Sequence, residues 1–130
     1  MHRGLVEIDG RPRTLPMWEV ATSREFYDNQ AKRDALLRTE HCPSVLPEGL
    51  IAGMGQLARH VFRLIGAHGV LRVDFLATPG GWVTLLEANT LPGLPPRGNL
   101  ATMARADGIG YPALIRQLVL SAFTKPAYLP

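Results

Sequence analysis

One stretch, from Gly69 to Gly93, constrains the fold more than any other part of the chain. Two runs of apolar and β-prone residues flank the turn sequence Thr-Pro-Gly-Gly at positions 78–81, so the pattern predicts two antiparallel strands joined by a short loop. Successive side chains of a strand point to opposite faces, which places Arg72 and Asp74 together on one side. The residues expected on the opposite, core-facing side are Leu71, Val73 and Phe75.

The return strand carries its own polar row, because the same alternation places Leu85, Glu87 and Asn89 on one face. If Asp74 lies opposite Glu87, then Arg72 lies opposite Asn89. In that register the remaining pairs are Leu76 with Leu85 and Thr78 with Val83, and residues 79–82 form the loop. A slip of two residues keeps the same faces, whereas a slip of one turns the Glu87 row away from Asp74.

This register collects two carboxylates, an amide oxygen and a guanidinium on one surface. Oxygen ligands of this kind suit a hard cation such as Mg²⁺, which takes a few carboxylates and completes its shell with water and phosphate oxygens. The alternative is a solvated sheet face on which Asp74, Glu87 and Arg72 form exposed ion pairs of small energetic value. Pattern alone favours this alternative, because alternating charged residues are common on open antiparallel sheets.

Composition bounds the function classes. The 130 residues form at most one domain, and 46% hydrophobic and 19% charged residues are ordinary for a globular protein. The net charge is +3, but the Lys and Arg residues are scattered, which argues against a nucleic-acid partner. A single cysteine, Cys42, excludes an internal disulfide, and no apolar run reaches membrane-spanning length. These features predict a soluble, cytoplasmic domain without a membrane partner.

The N-terminal part predicts a second hairpin. Gly4–Ile8 alternates as a strand does, Asp9 and Gly10 form a strong turn signal, and Thr14–Val20 is expected to return as the second strand. The prolines that confine parts of this region to a sheet edge are Pro12 and Pro16.

Pro47–Ile65 is the clearest predicted helix, with Gly66 as its C-cap. Its apolar stripe comprises Leu50, Ile51, Met54, Leu57, Ala58, Val61, Phe62 and Ile65. Before it, residues 21–40 predict a polar surface loop with a short helix over 29–38. The histidines His41, His60 and His68 have no partners at metal-binding spacing, which favours structural or surface roles.

Two further helices are predicted after the hairpin. Asn99 is expected to cap a helix that reaches about Ala106, and Pro112 to occupy the first turn of the last helix. The apolar core positions expected in the last helix are Leu114, Ile115, Leu118, Val119 and Ala122. Together these segments predict an α+β fold in which an antiparallel sheet packs against helices.

The hairpin also resembles a known family. It reads Arg-Val-Asp-Phe-Leu at 72–76 and Leu-Leu-Glu-Ala-Asn-Thr-Leu-Pro-Gly at 85–93, which resembles the C-terminal signature of D-alanine–D-alanine ligases, members of the ATP-grasp superfamily. Similar segments are Phe-Tyr-Asp-Asn-Gln-Ala-Lys at 26–32, Cys-Pro at 42–43 and Gly-Ile-Gly-Tyr-Pro-Ala-Leu-Ile at 108–115. The resemblance covers nearly the whole chain and implies the C-terminal portion of an ATP-grasp fold.

The resemblance implies that residues 1–130 form a C-terminal ATP-grasp subdomain. Nothing in this sequence corresponds to the family's N-terminal and central domains, which carry a glycine-rich phosphate loop and the first-substrate pocket. We therefore expect this polypeptide alone to be inactive. Homodimerisation, as in full-length members of the family, is an open expectation.

The resemblance also implies a reaction. Family members use ATP to phosphorylate the carboxylate of one amino acid, and the amine of a second attacks the acyl phosphate to give a dipeptide for peptidoglycan precursors. The implied partners are thus ATP and small amino acids. Carried over by position, Asp74, Glu87 and Asn89 would hold two Mg²⁺ (or Mn²⁺) ions, with Glu87 bridging them at the nucleotide.

Three further residues take roles from the same resemblance. Lys32 would contact an ATP phosphate, and Arg72 with the backbone N–H of Gly93 would support the acyl phosphate and the tetrahedral oxyanion. The family's hydroxyl-rich acceptor segment, which ends in Ser-Leu, is replaced by Pro-Pro-Arg-Gly-Asn-Leu at 95–100. Arg97 in this segment either binds the acceptor's carboxylate or is a solvated loop residue.

Three alternatives to a D-alanine–D-alanine ligase remain open at this point. The first is an ATP-grasp ligase of another biosynthetic pathway, which the altered acceptor loop suits. The second is a non-catalytic remnant of such an enzyme. The third is a small basic α+β binding module without ligase ancestry.

Overall fold

The computed structural model describes residues 1–22 and 38–125. The strands in these ranges are β1 (His2–Ile8), β2 (Arg11–Thr14), β3 (Glu19–Thr22), β4 (Arg38–His41), β5 (Val70–Ala77) and β6 (Val83–Asn89). The helices are α1 (Glu48–Leu64), α2 (Asn99–Ala106) and α3 (Tyr111–Thr124). An antiparallel four-stranded sheet has the order β2-β1-β5-β6, and β3 pairs with β4 separately. The predicted α+β class is confirmed.

Helices cover both faces of the four-stranded sheet. Neighbouring side chains of β1 point to opposite faces, so they enter two different cores. Leu5 lies in the core beneath α1. The other fully buried residues of this core include Met17, Met54, Leu71, Val73 and Phe75. Val6 lies in the core beneath α2 and α3, which also contains Leu15, Leu100, Met103 and Leu114. Gly4 permits the close approach of α2, since a Cβ there would lie 3.0 Å from Leu100 Cδ1.

The β5–β6 hairpin has the predicted register at the end that carries the charged residues. Arg72 pairs with Asn89, and Asp74 pairs with Glu87. The predicted core face is also confirmed, since its three residues, Leu71, Val73 and Phe75, are buried.

A β-bulge changes the pairing beyond Asp74. Phe75 pairs with Leu85, which leaves Leu86 as the extra residue on β6. The predicted pairs Leu76–Leu85 and Thr78–Val83 are therefore wrong, and the observed pairs are Leu76–Thr84 and Ala77–Val83.

The bulge also corrects the predicted face of Leu85. With strict alternation, Leu85 and Glu87 would share a face, so either the leucine would leave the core or the glutamate would enter it. The extra residue between them removes this conflict. Leu85 packs against the core beneath α1, while Glu87 stays on the face of Asp74.

The N-terminal hairpin is tighter than predicted. Asp9 and Gly10 form the turn with positive φ angles of 50° and 76°, so β2 begins directly after them. The predicted strand Thr14–Val20 is wrong as a continuous strand, because β2 ends at Thr14, an isolated bridge then joins Trp18 to His2, and the chain continues as β3 against β4. The edge position of Pro12 is confirmed, since it lies in the outermost strand.

Helix α1 confirms the predicted helix to within one residue at each end, with Pro47 at the N-cap position and Gly66 at a φ of 63° beyond the C-cap. The prediction that Leu57 and Ile65 belong to the core is wrong, because these residues are 39% and 48% exposed. The side of α1 that faces the sheet is narrower than the apolar stripe, and its buried residues are Met54, Gly55, Ala58 and Phe62.

The last two helices are confirmed with three corrections. Gly98 rather than Asn99 occupies the N-cap of α2. In α3, Leu114 is fully buried, but Val119 and Ala122 are exposed because they lie outside the helix face that contacts the rest of the protein through Leu114, Leu118 and Ser121. The short helix predicted over 29–38 lies outside the described residues, except for its last position in β4. No helix in the described ranges is both long enough and apolar enough to cross a membrane.

Candidate functional site

A cleft of about 1270 Å³ lies on the side of the sheet that carries the charged row. Its wall includes Arg72, Asp74 and Glu87 from the hairpin, with Arg97 and Asn99 from the segment that begins α2. Its apolar wall residues include Trp18, Leu46, Leu76 and Leu86. The predicted charged row therefore lines a cavity, and this concave setting is typical of ligand sites.

Asp74 is a buried acid at the wall of this cleft, with only 8% of its surface exposed. Arg72 grips its carboxylate with two bonds, since Nε donates to Oδ1 at 2.8 Å and Nη2 donates to Oδ2 at 2.8 Å. His2 Nδ1 lies 2.6 Å from the same Oδ1. Both carboxylate oxygens therefore have partners within the protein.

These contacts keep Asp74 ionised. Burial by itself raises the pKa of this carboxyl, but the hydrogen bonds from His2 and Arg72 outweigh it and lower the pKa to about 2. At neutral pH the side chain is thus an anion, which is the form that binds a cation.

Glu87 lies opposite Asp74 in the ladder and is connected to it through the same guanidinium. Arg72 Nη2 donates to Glu87 Oε1 at 3.3 Å, in addition to its bond with Asp74. The Glu87 side chain is 58% exposed, so its carboxylate is the solvent-facing member of the pair. One cationic group already lies between the two acids.

Asn89 is beside this pair but is less directed toward the cleft. It lies opposite Arg72 in the ladder, and its Oδ1 accepts a hydrogen bond from the backbone N–H of Leu91 at 2.9 Å. An amide oxygen has two lone pairs, so one remains for a cation. This bond also turns the chain from β6 toward Gly93, which lies exposed in the following loop.

The predicted site residues are thus brought together unevenly. Arg72, Asp74 and Glu87 share one wall, and Asn89 adjoins them. Lys32 lies outside the described residues. In the described ranges no group of three or more His, Cys, Asp or Glu side chains is arranged to hold a metal ion, so the candidate set is a carboxylate pair with an amide oxygen.

Sequence reasoning missed His2, which contacts Asp74 directly. The two residues are paired across β1 and β5, and 72 positions separate them in the chain. His2 is itself stacked on Trp18, with ring centroids 4.8 Å apart and planes inclined by 20°. No local pattern identifies such a pair, because it depends on which strands become neighbours.

A third carboxylate, Glu19, was also missed. It lines the cleft and is only 8% exposed. Its Oε2 accepts hydrogen bonds from Ser44 Oγ at 2.7 Å and from the backbone N–H of Val45 at 3.1 Å. Glu19 therefore connects β3 to the segment before α1, and both contribute residues to the wall of the cleft.

Comparison with known proteins identifies the family of the chain. The sequence model described as "D-ala D-ala ligase C-terminus" matches residues 3–120 of the chain. The chain belongs to this D-alanine–D-alanine ligase family. A D-alanine–D-alanine ligase of Arthrobacter sp. (strain FB24) is 39% identical over 128 residues, covering 91% of this chain and 33% of the relative. That of Geobacter sulfurreducens is 38% identical over 114 residues, covering 87% and 36%.

Solved structures of D-alanine–D-alanine ligases share the fold of this family member. The enzyme from Coxiella burnetii superposes with a TM-score of 0.73 at 26% identity, covering 95% of this chain and 31% of that one. A D-alanine–D-alanine ligase from Bacillus anthracis complexed with ATP gives a TM-score of 0.70 at 22% identity, covering 95% and 38%. The chain spans about a third of the length of the curated relatives it matches.

Proposed function

We propose that this chain forms the magnesium- and nucleotide-binding half of an ATP-dependent carboxylate–amine ligase of the D-alanine–D-alanine ligase type. The observation that carries this proposal is the opposition of Asp74 and Glu87 on the wall of one cleft. In the complete reaction, ATP phosphorylates the carboxylate of a first amino acid and the amine of a second displaces the phosphate. The product is a dipeptide for peptidoglycan precursors, made in the cytoplasm.

The residues present fit a divalent cation. Two carboxylates and an amide oxygen are hard ligands of the kind that Mg²⁺ and Mn²⁺ prefer. The Arg72 guanidinium, which bonds to both Asp74 and Glu87, supports the placement of positive charge between them. We assign Asp74, Glu87 and Asn89 to the cation, which when bound neutralises phosphate charge during phosphoryl transfer.

The remaining side chains have separate tasks in this proposal. Arg72 supplies a positive charge for the acyl phosphate and the oxyanion, and the Gly93 N–H supplies a donor. Lys32 contacts an ATP phosphate. The cleft wall also offers an apolar surface to the nucleotide base through Leu76 and Leu86, both of which are exposed beside the acids.

A ligase that joins other amino acids is the second candidate function. One observation favours it: Arg97 and Asn99 line the cleft in the segment that lacks the family's hydroxyl-rich sequence. A guanidinium recognises a carboxylate with two parallel hydrogen bonds. An acceptor carboxylate placed against Arg97 would therefore be held differently than in the family, and the selectivity for the acceptor's side chain would change with it.

Mn²⁺ binding in the presence of ATP tests the proposal. Electron paramagnetic resonance counts free Mn²⁺ during titration of the purified chain, of Asp74→Asn and of Glu87→Gln. Glu87 is largely exposed, so its substitution leaves the fold intact and isolates the effect on the cation. The matched control is Asp107→Asn, which removes a carboxylate paired with Arg13 outside the cleft.

We expect both cleft variants to bind Mn²⁺ much more weakly than the wild type, and the control to bind as the wild type does. Equal binding by all four proteins would contradict the proposal.

A further inference from the structure

We propose that His2 is a positioning residue that holds the Asp74 carboxylate in the orientation required for the divalent cation. The inference rests on the proposed metal site, and it adds to that site a residue outside the metal-binding set. It is carried by the geometry of three side chains: His2, Asp74 and Trp18.

The contact between His2 and Asp74 has a defined polarity. An ionised carboxylate only accepts hydrogen bonds, so the proton in the 2.6 Å contact lies on His2 Nδ1 and is donated to Asp74 Oδ1. Backbone pairing of β1 with β5 places the two residues directly opposite each other. The imidazole therefore reaches the carboxylate from the neighbouring strand and from the side away from Glu87.

His2 is rigid enough to act as a support. Its backbone exchanges two hydrogen bonds with Trp18, from His2 N to Trp18 O at 2.8 Å and from Trp18 N to His2 O at 3.0 Å. Its ring stacks on the Trp18 ring, and only 19% of its side chain is exposed. Backbone and ring are thus fixed by the same tryptophan, which leaves the imidazole little freedom to turn away from Asp74.

A cation at the acid pair would affect the hydrogen bonds of Arg72 and of His2 to Asp74 differently. Arg72 bonds to both carboxylate oxygens of Asp74, and its Nη2 also bonds to Glu87, so a cation held by both acids would compete with this nitrogen. Within the described ranges the His2 ring hydrogen-bonds to Asp74 Oδ1 and forms no hydrogen bond with Glu87. A cation held by both acids would leave the His2 bond at Oδ1 in place, and this bond would keep the carboxylate from rotating. Hydrogen-bond partners of metal ligands commonly act in this way.

A matched pair of substitutions separates the hydrogen bond from the stacking. His2→Phe keeps a ring on Trp18 and removes the donor, whereas His2→Asn removes the ring and keeps an N–H close to the position of Nδ1. The control is His68→Phe, which removes another imidazole–carboxylate contact, 3.2 Å to Glu7, away from the cleft. Mn²⁺ affinity with ATP is measured by electron paramagnetic resonance, and circular dichroism verifies that each variant is folded.

We expect His2→Phe to weaken Mn²⁺ binding by about 10-fold or more, His2→Asn to restore most of the affinity, and His68→Phe to match the wild type. Wild-type affinity in His2→Phe would overturn the role of His2 while leaving the metal site intact, and so would equal losses in His2→Phe and His2→Asn. Failure of the wild type to bind Mn²⁺ more tightly than Asp74→Asn would overturn the metal site, and the inference with it.

Discussion

Asp74 and Glu87 face each other across the β5–β6 ladder, and a single nitrogen, Arg72 Nη2, donates to both of their carboxylates. Two acids so close together repel each other unless a cation lies between them. In this structure the guanidinium supplies that charge. A divalent cation would supply it in the working site, and the first prediction follows from this exchange.

Arg72→Gln removes the guanidinium that bonds to both acids. Among the described side chains, His2 then remains as the partner of Asp74. Because a buried acid then loses its charged donor, we expect the free energy of unfolding to fall by about 1–3 kcal/mol. We also expect Mg²⁺ to recover more stability in this variant than in the wild type. Thermal unfolding with and without Mg²⁺ measures both effects.

The control for Arg72→Gln is Arg13→Gln, which breaks an ion pair between Arg13 and Asp107 at the surface. An exposed pair contributes about 0–1 kcal/mol, so this variant should lose little stability and gain nothing from Mg²⁺. An equal response of the two variants to Mg²⁺ would contradict a cation site at the acid pair.

The pKa of Asp74 predicts an acid-sensitive contribution to stability. Its folded-state value of about 2 lies below the ordinary value of 3.8, so the ionised carboxylate stabilises the fold at any pH above the ordinary value. This contribution disappears as the pH falls from about 3.8 to about 2, and it amounts to about 1–2 kcal/mol after allowance for solvent screening.

Urea unfolding of the wild type and of Asp74→Asn measures this contribution. The wild type should be the more stable protein near neutral pH, and the difference should narrow across the acidic window. If the difference in unfolding free energy between the two proteins did not change with pH, the contacts of the ionised Asp74 carboxylate would not stabilise the fold.

Much of the hairpin was predictable, because a strand's period of two assigns faces from local sequence alone. The shared face of Arg72 and Asp74 followed from that period, whereas the opposition of Asp74 to Glu87 was one of the registers that the sequence left open. The bulge was not predictable, because it depends on Leu85 packing in the core while Glu87 faces the cleft. Such a combination is visible only when the register and the core are known together.

Non-local contacts were beyond the reach of sequence patterns. His2 meets Asp74 because β1 joins β5, and Glu19 enters the cleft because the chain leaves the first sheet to form β3. Both depend on how distant segments pack. The exposed faces of Leu57 and Val119 have the same origin, since helical spacing identifies an apolar stripe but not how much of it the sheet covers.

Deletions in β6 test the role of the bulge. Removing Leu86 should restore regular alternation, with Leu85 still in the core and Glu87 still opposite Asp74, so Mn²⁺ binding should persist. Removing Ala88 should instead move Asn89 onto the core face and weaken Mn²⁺ binding. Titration of both deletion variants distinguishes these outcomes, and loss of binding in the Leu86 deletion alone would contradict this account of the bulge.

Turnover is predicted to need more than these 130 residues, because the chain spans about a third of its curated relatives. Phosphate release from the purified chain, supplied with ATP, Mg²⁺ and D-alanine, should stay at the background rate. Glu87→Gln provides the matched blank. Release that exceeds this blank would show that the chain catalyses ATP cleavage by itself.

A double-mutant cycle on Mn²⁺ affinity, with ATP present, tests most directly whether Asp74 and Glu87 hold one cation together. The four proteins are the wild type, Asp74→Asn, Glu87→Gln and the double variant. If both acids bind the same ion, their effects are coupled, and the double variant should lose clearly less affinity than the two single losses combined. Independent, additive losses, or no loss in either single variant, would contradict a shared magnesium–nucleotide site.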